Sequence, residues 1–312
     1  MPEPGWTVPP EEEGTRLDKF LAHADRLGSR SRAAAAIERG KVYLNANLAT
    51  DGSTRLAQND VVRVWMDKPG SARRPTRPGP RGDLDIAYED DVLVVVNKPA
   101  GVLTVPLERK RDAPSVFDQI VMYLKPAGRR RPFVVHRIDQ DSSGLVVFAK
   151  DPISQGRLKA QFKRREPERV YLAVVYGKPD PPTGTWRDRL VWDTTALIQK
   201  ETHPRDPQGT DAICEYTTLE TFRDASLIEI RLETGRRNQI RIQARLRGHT
   251  LVGEQRYTYG PDSLRTIAFG RHALHARRLA FRHPVDERAM EFEAPLPNDL
   301  EDLLVRLRKS RA

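Results

Sequence analysis

Four prolines, Pro69, Pro75, Pro78 and Pro80, fall in the stretch DKPGSARRPTRPGPRGD, residues 67–83. Each fixes its own φ and removes a backbone N–H, so neither a helix nor a central strand can run through them. The chain must therefore fold on both sides of an extended linker. The expected division is a disordered lead over 1–13, a small unit over 14–67, a linker over 68–84 and a large unit over 85–312. Lys68, Arg73, Arg74, Arg77 and Arg81 make the linker basic. It could be an electrostatic arm for RNA, but a solvated spacer is the simpler reading.

The small unit reads as α/β. Thr15 can cap a helix whose apolar positions Leu17, Phe20, Leu21 and Ala24 follow helical spacing. A second helix runs through AAAAIER and stops at Gly40, followed by strands at Val42–Leu44 and Val61–Trp65. Arg30 and Arg32 stand at the start of that second helix, among Ser29 and Ser31. Cations there oppose the helix dipole, and a bound phosphate would reverse the sign and use the free N–H groups. The alternative is that both side chains simply point into water. TRLDKFLA, SRSRAAAAIERGKVYLN and NDVVRVW together resemble the small RNA-binding module of ribosomal protein S-four. That resemblance implies that Arg30, Arg32 and Lys41 contact RNA phosphates.

A formal charge of +10, with arginine dominating the basic residues, points to a polyanionic partner. The single cysteine, Cys214, can form no internal disulfide, which fits a reducing compartment. Seven scattered histidines offer no zinc-ligand spacing. The start MPEPGWTVPPEEEG lacks the basic and apolar regions of a signal peptide, and no apolar run reaches membrane-spanning length. A soluble, cytoplasmic monomer without cofactor or metal and without an obligatory protein partner is the expectation.

From Asp85 the pattern becomes β-rich. Strands are expected at Val92–Val96, Phe133–His136, Leu145–Phe148, Val170–Tyr176, Ala212–Phe222, Leu227–Leu232 and Leu274–Phe281. Helices are expected at Ser154–Arg165, Asn238–Arg247 and Asn298–Lys309. Strands outnumber helices with no βαβ alternation, so the fold class is α+β with a mixed or antiparallel sheet.

Chemistry concentrates in HRIDQDSSGLVVFAK, residues 136–150. The apolar runs PFVV and LVVFA flank a polar turn carrying Arg137, Asp139 and Asp141, as catalytic groups are often mounted. Asp139 alone could be a nucleophile, a general base, a metal ligand or a turn former. The segment resembles the signature of the RluA family of pseudouridine synthases, with Ile138 for the usual Leu and Ser142 for Thr. Three further stretches match that family in order: EDDVLVVVNKPAGVLTVP at 89–106, RVYLAVVYG at 169–177 and LETGRRNQIRIQARLRGHTLVG at 232–253. RHALHARRLAFRHP at 271–284 and EAPLPNDL at 293–300 resemble its closing strand and tail.

The resemblance implies a cofactor-free enzyme that isomerises uridine in RNA, ribosomal RNA first and transfer RNA as the alternative. It assigns Asp139 as the catalytic carboxylate, Arg241 as its partner and Tyr171 as the active-site tyrosine. His136 and Arg137 would contact the RNA, and Lys98 would shape the fold. Arg237, Asn238 and Gln243 replace the family's Thr, His and His, and Glu254 its Asp. The reaction needs a flipped nucleotide, an aromatic surface for its base and a carboxylate where charge develops at the ribose. Covalent attack and ribose-proton removal both fit Asp139. Two rival readings are an idle RNA-binding protein on the same fold and a metal nuclease using Asp139 and Asp141. The second would want further clustered carboxylates.

Overall fold

Seven consecutive residues, Ser143–Ala149, are buried, as a strand covered on both faces must be. In the computed structural model this strand lies inside an 11-stranded mixed sheet, third from one edge. The structure describes residues 5–38, 41–45, 47–64, 84–107, 113–125, 131–258 and 266–310. The chain divides into two units, Met1–Arg77 and Pro78–Ala312. The linker expected over 68–84 lies, apart from Leu84, outside the described residues, as do Gly40 and Trp65.

The first unit contains β1 (Gly5–Thr7), α1 (Leu17–Leu21), α2 (Arg30–Glu38), β2 (Val42–Leu44), β3 (Asn47–Leu48) and β4 (Val61–Val64). Its four strands run in the order β1-β4-β2-β3 over a core built on Leu17, Phe20, Leu21, Ile37, Val42 and Val62. Two expectations are corrected here. Residues 5–13 are not a disordered lead: β1 pairs with β4, Val8 is fully buried, and Arg26 joins Glu12 in an ion pair. Apolar burial by Val8 and Trp6 offsets the entropy that the prolines and acidic residues suggested would win. Thr15 does not cap α1. The N–H groups of Leu17 and Asp18 already donate to the carbonyls of Thr54 and Gly52, at 2.8 and 2.9 Å, so no capping side chain is needed.

The second unit adds β5 (Asp85–Glu89), β6 (Leu93–Lys98), α3 (Val116–Leu124), β7 (Phe133–Val134), β8 (Ser143–Ala149), α4 (Pro152–Lys163) and β9 (Glu168–Tyr176). It continues with β10 (Thr183–Asp193), β11 (Ile198–Glu201), β12 (Thr210–Thr221), β13 (Ala225–Leu232), α5 (Gln239–Leu246), β14 (Leu274–Arg282), β15 (Ala289–Glu293) and α6 (Asn298–Lys309). The sheet order is β11-β10-β12-β13-β9-β14-β8-β6-β5, with β15 beside β14 and β7 beside β8. Its pairings are antiparallel except β8 with β14, a short parallel seam that joins the two halves.

Side chains alternate across the strands. Val146 and Phe148 of β8, with Tyr171 and Ala173 of β9, face a core covered by α3 and α5. Leu145 and Val147 face α4 on the other side, and Leu172 and Val174 face α6. The seam depends on Gly144. Its φ is +112°, and a Cβ there would stand 2.2 Å from the Ala276 carbonyl oxygen. Only glycine allows β8 and β14 to start side by side, and that common start is where the polar turn of residues 136–142 sits.

Candidate active site

The turn between β7 and β8 carries Asp139, and neighbouring segments hold it in place. Thr104 Oγ1 donates to the Ile138 carbonyl at 2.8 Å. The Gln140 carbonyl accepts from the Gly101 N–H at 2.9 Å and from Lys98 Nζ at 2.8 Å. Lys98 also donates to the carbonyls of Pro99 and Val102, and burial pulls its pKa down to about 7. It thus ties the turn after β6 to the residue following Asp139. On the other side Ser142 Oγ meets His272 Nε2 at 2.9 Å, and Ser143 Oγ meets His275 Nδ1 at 3.0 Å.

Helix α5 brings Arg241 to this turn. Its Nη1 donates to Asp139 Oδ2 at 3.0 Å. Its other edge grips Glu254: Nε donates to Oε2 at 2.6 Å and Nη2 to Oε1 at 2.7 Å. The Glu254 side chain is wholly buried. Burial pushes its carboxyl up, but the Arg241 hydrogen bonds and charge prevail and hold it at about 2. Burial alone would lower the Arg241 pKa, and the same two carboxylates instead raise it.

Asn238 precedes α5 in the left-handed region, with φ of 54°. With its amide nitrogen toward Asp139, it donates to both carboxylate oxygens at 2.9 Å and its oxygen accepts from Tyr257 Oη at 3.1 Å. The opposite placement would set the amide oxygen against the carboxylate, so the network decides the orientation. Asp139 therefore holds an arginine and an amide on one side, while its side chain keeps 22% of its exposure to an open cavity of about 1100 Å³. Arg137, Arg237, Asn238, Arg256 and His272 share that cavity. A narrower pocket lined by Arg137, Asp139, Asn238 and Arg241 reaches Tyr171 and Leu232. Tyr171 lies mid-strand in β9, opposite Ile230 and Ala276, and burial raises its phenol pKa.

The structure thus brings together Asp139, Arg241, Tyr171 and Arg137. It does not bring His136 to the cavity. That ring stacks on Phe162 at 4.7 Å between centroids, and its Nε2 accepts the Val147 N–H at 3.1 Å. Burial, and then the Arg169 charge, lower its pKa to about 3, so it is a neutral scaffold group rather than an RNA contact. Arg30 and Arg32 are exposed in the first turn of α2, and Lys41 is half-buried after it, all in the other unit. Gln243 is also away from the cavity: fully buried, it donates to the carbonyls of Trp186 and Ala212 and to Asp188 Oδ2. His272 was not singled out from the sequence, because one histidine in a strand approach carries no signal of its own.

Among the described residues no group of three or more His, Cys, Asp or Glu side chains is placed to hold a metal ion. No described helix is long and apolar enough to cross a membrane.

The sequence matches the RNA pseudouridylate synthase family over residues 92–246 and the S4 domain over 15–62. An uncharacterized RNA pseudouridine synthase of Bacillus subtilis, YlyB, is 35% identical over 307 residues, covering 97% of this chain and 98% of that protein. The chain belongs to the RNA pseudouridylate synthase family. Among other members, the ribosomal large subunit pseudouridine synthase D of Zymomonas mobilis is 34% identical over 311 residues, covering 96% of each chain. The Vibrio cholerae protein of the same name is 30% identical over 319 residues, covering 97% of this chain and 94% of its own. The fold is also that of the human RNA pseudouridylate synthase domain containing 4, with a TM-score of 0.59 and 20% identity over 72% of this chain and 93% of that one. For a pseudouridine synthase, a carboxylate held by arginine beside a buried tyrosine is a chemically coherent site.

Proposed function

We propose that this synthase isomerises uridine in large-subunit ribosomal RNA and that Asp139 is its reacting carboxylate. The observation that carries the reading is the Asp139–Arg241 pair at 3.0 Å on the wall of an open cavity. The Zymomonas and Vibrio relatives are ribosomal large subunit synthases by name, which favours the ribosomal target over transfer RNA.

In the reaction the bond from ribose C1′ to uracil N1 breaks, the base turns, and C1′ bonds to C5. C5 gives up its proton and N1 gains one, so the product is an isomer. Cleavage develops positive charge at the ribose, which an adjacent carboxylate stabilises. Asp139 does this either by bonding to C1′ or by taking a ribose proton. Arg241 and Asn238 fix the carboxylate so that it need not reorganise as charge develops. The Tyr171 ring offers a surface for the everted base, and Arg137 grips the strand that supplies it.

Mapping pseudouridine in total RNA from cells with and without the protein tests this. Specific positions of large-subunit RNA should lose the modification, and wild-type protein should restore it where Asp139→Asn does not. Loss confined to transfer RNA would favour that substrate instead. Restoration by Asp139→Asn would remove the carboxylate from the mechanism.

A further inference from the structure

Arg237 stands where nothing in the reaction calls for an arginine, and it is held in an unusual way. Its guanidinium carbon lies 3.9 Å from the centre of the Trp192 ring, near the end of β10. The side chain is exposed and lines the cavity that contains Asp139. It directly precedes Asn238, whose amide faces Asp139.

Charge on the lining of this cavity leans positive, with five arginines against Asp139 and Asp141. The positive charge of Arg241 is answered by Asp139 and Glu254, and that of Arg271 by Asp299. Among the described residues Arg137 and Arg237 have no carboxylate partner, and the Arg256 guanidinium donates to the Leu197 carbonyl, at 3.2 Å. Partial burial and then the neighbouring Arg137 charge lower the Arg237 pKa, and both side chains line the same cavity. Like charges gathered at a cavity mouth cost stability until an anion sits among them.

We propose that Arg237, seated over the Trp192 ring, grips an RNA backbone phosphate beside the uridine presented to Asp139, with Arg137 and Arg256 on the same phosphate run. The inference rests on reading this cavity as the uridine site. A guanidinium seated over tryptophan is restrained while its N–H groups remain available, and arginine binds phosphate through two such groups at once. A lysine would carry the charge without the planar guanidinium. A phosphate contact positions the strand and carries no base information. Arg237 would therefore set how firmly a target is held, leaving sequence choice to other groups.

The test uses the full chain and an unmodified large-subunit ribosomal RNA transcript. Binding is measured across a salt series, in an Asp139→Asn background so that no turnover intervenes. Arg237→Gln should weaken affinity roughly tenfold and make the slope of log affinity against log salt shallower by about 0.7–0.9, one phosphate contact. Trp192→Leu should weaken affinity with the slope kept, since the charge remains. Arg237→Lys should keep the slope and recover only part of the affinity. With Asp139 intact, affinity should suffer far more than the saturating single-turnover rate. An unchanged salt slope in Arg237→Gln overturns the grip. So does a fall in saturating rate at unchanged affinity, which would put Arg237 in the chemistry. Full recovery by lysine would remove Trp192 from the proposal. Because binding is read without turnover, a transcript that is never modified counts against the uridine site, while the salt slope still decides the grip.

Discussion

Arg241 divides its guanidinium unequally: it gives Glu254 two hydrogen bonds, at 2.6 and 2.7 Å, and Asp139 one, at 3.0 Å. The arrangement has two negative charges around one positive, so Asp139 is oriented without being neutralised. The bidentate fork is the firmer geometry, and it is spent on the carboxylate that has no access to solvent. Glu254 is therefore the anchor, and Asp139 the group left with bonding capacity for a substrate.

Arg241→Met should be costly to stability as well as to catalysis. It strands Glu254 in a buried position and leaves Asp139 held only by Asn238. Removing one partner of a buried pair costs on the order of 3–5 kcal/mol. Denaturant unfolding should show a loss of that size, and single-turnover rates should fall far more than RNA affinity. Normal turnover with collapsed affinity would make Arg241 a phosphate contact only.

Glu254→Gln tests the division of charge. The amide can keep one hydrogen bond from Arg241 but not the charge, so the whole guanidinium charge falls on Asp139. A more strongly neutralised Asp139 is a weaker base and a weaker nucleophile. The saturating rate should drop about tenfold, and stability should fall by roughly 1.5–3 kcal/mol, the range for a hydrogen bond to a charged group. A rate equal to wild type would mean Glu254 acts in folding alone.

Acid should destabilise the fold in two stages. Burial holds the pKa values of His136, His272 and His275 at about 3, 4 and 4, below their ordinary 6.5. The unfolded chain takes up protons first, so the share these rings contribute is full above pH 6.5 and falls as pH drops toward their folded values. Each histidine contributes a slope of about 1.4 kcal/mol per pH unit in that window. Glu254, held at about 2 against an ordinary 4.5, adds a second loss as pH falls from 4.5 toward 2. Denaturant unfolding at pH 7.5, 6.0 and 5.0 should show the first stage, and His275→Gln should remove about one histidine's share. A flat profile between pH 7.5 and 5.0 would show that these rings accept protons in place.

Much of this was legible because strong patterns carried it. The apolar runs at 92–96, 145–148 and 170–176 could only be buried strands, and the turn before Leu145 had to hold its carboxylates at their edge. The α6 helix falls at Asn298–Lys309, where its apolar spacing put it. Strands β10 and β11 carry no clear signal because β11 is the edge strand and β10 its neighbour, where residues such as Asp188, Arg189 and Lys200 interrupt the alternation. Helix α3 sits between segments of arginine and proline that masked its apolar face. His136 misled because its motif neighbours Arg137 and Asp139 do reach the cavity. Alternate residues of an extended segment point to opposite sides, and the ring went to Phe162. The Glu254 fork joins residues 13 apart across a turn, a meeting that no periodicity predicts.

Replacing Arg30 and Arg32 together by Gln tests whether the first unit holds RNA. Both side chains are exposed in the first turn of α2, and Ser29 Oγ accepts the Arg32 N–H at 3.2 Å, so the helix start is set by the serine. The substitutions should leave folding intact. Removing two cations from a helix N-terminus should even add a few tenths of a kcal/mol. If each arginine meets a phosphate, the slope of log affinity against log salt becomes shallower by about 1.4–1.8, at 0.7–0.9 per contact. The saturating single-turnover rate should change little, because Asp139, Arg241 and Tyr171 all lie in the second unit. Affinity measured from low to moderate salt for both proteins decides it. An unchanged slope would mean that this helix start points only into water, and that Lys41 or the basic linker carries whatever contribution the N-terminal half makes to binding.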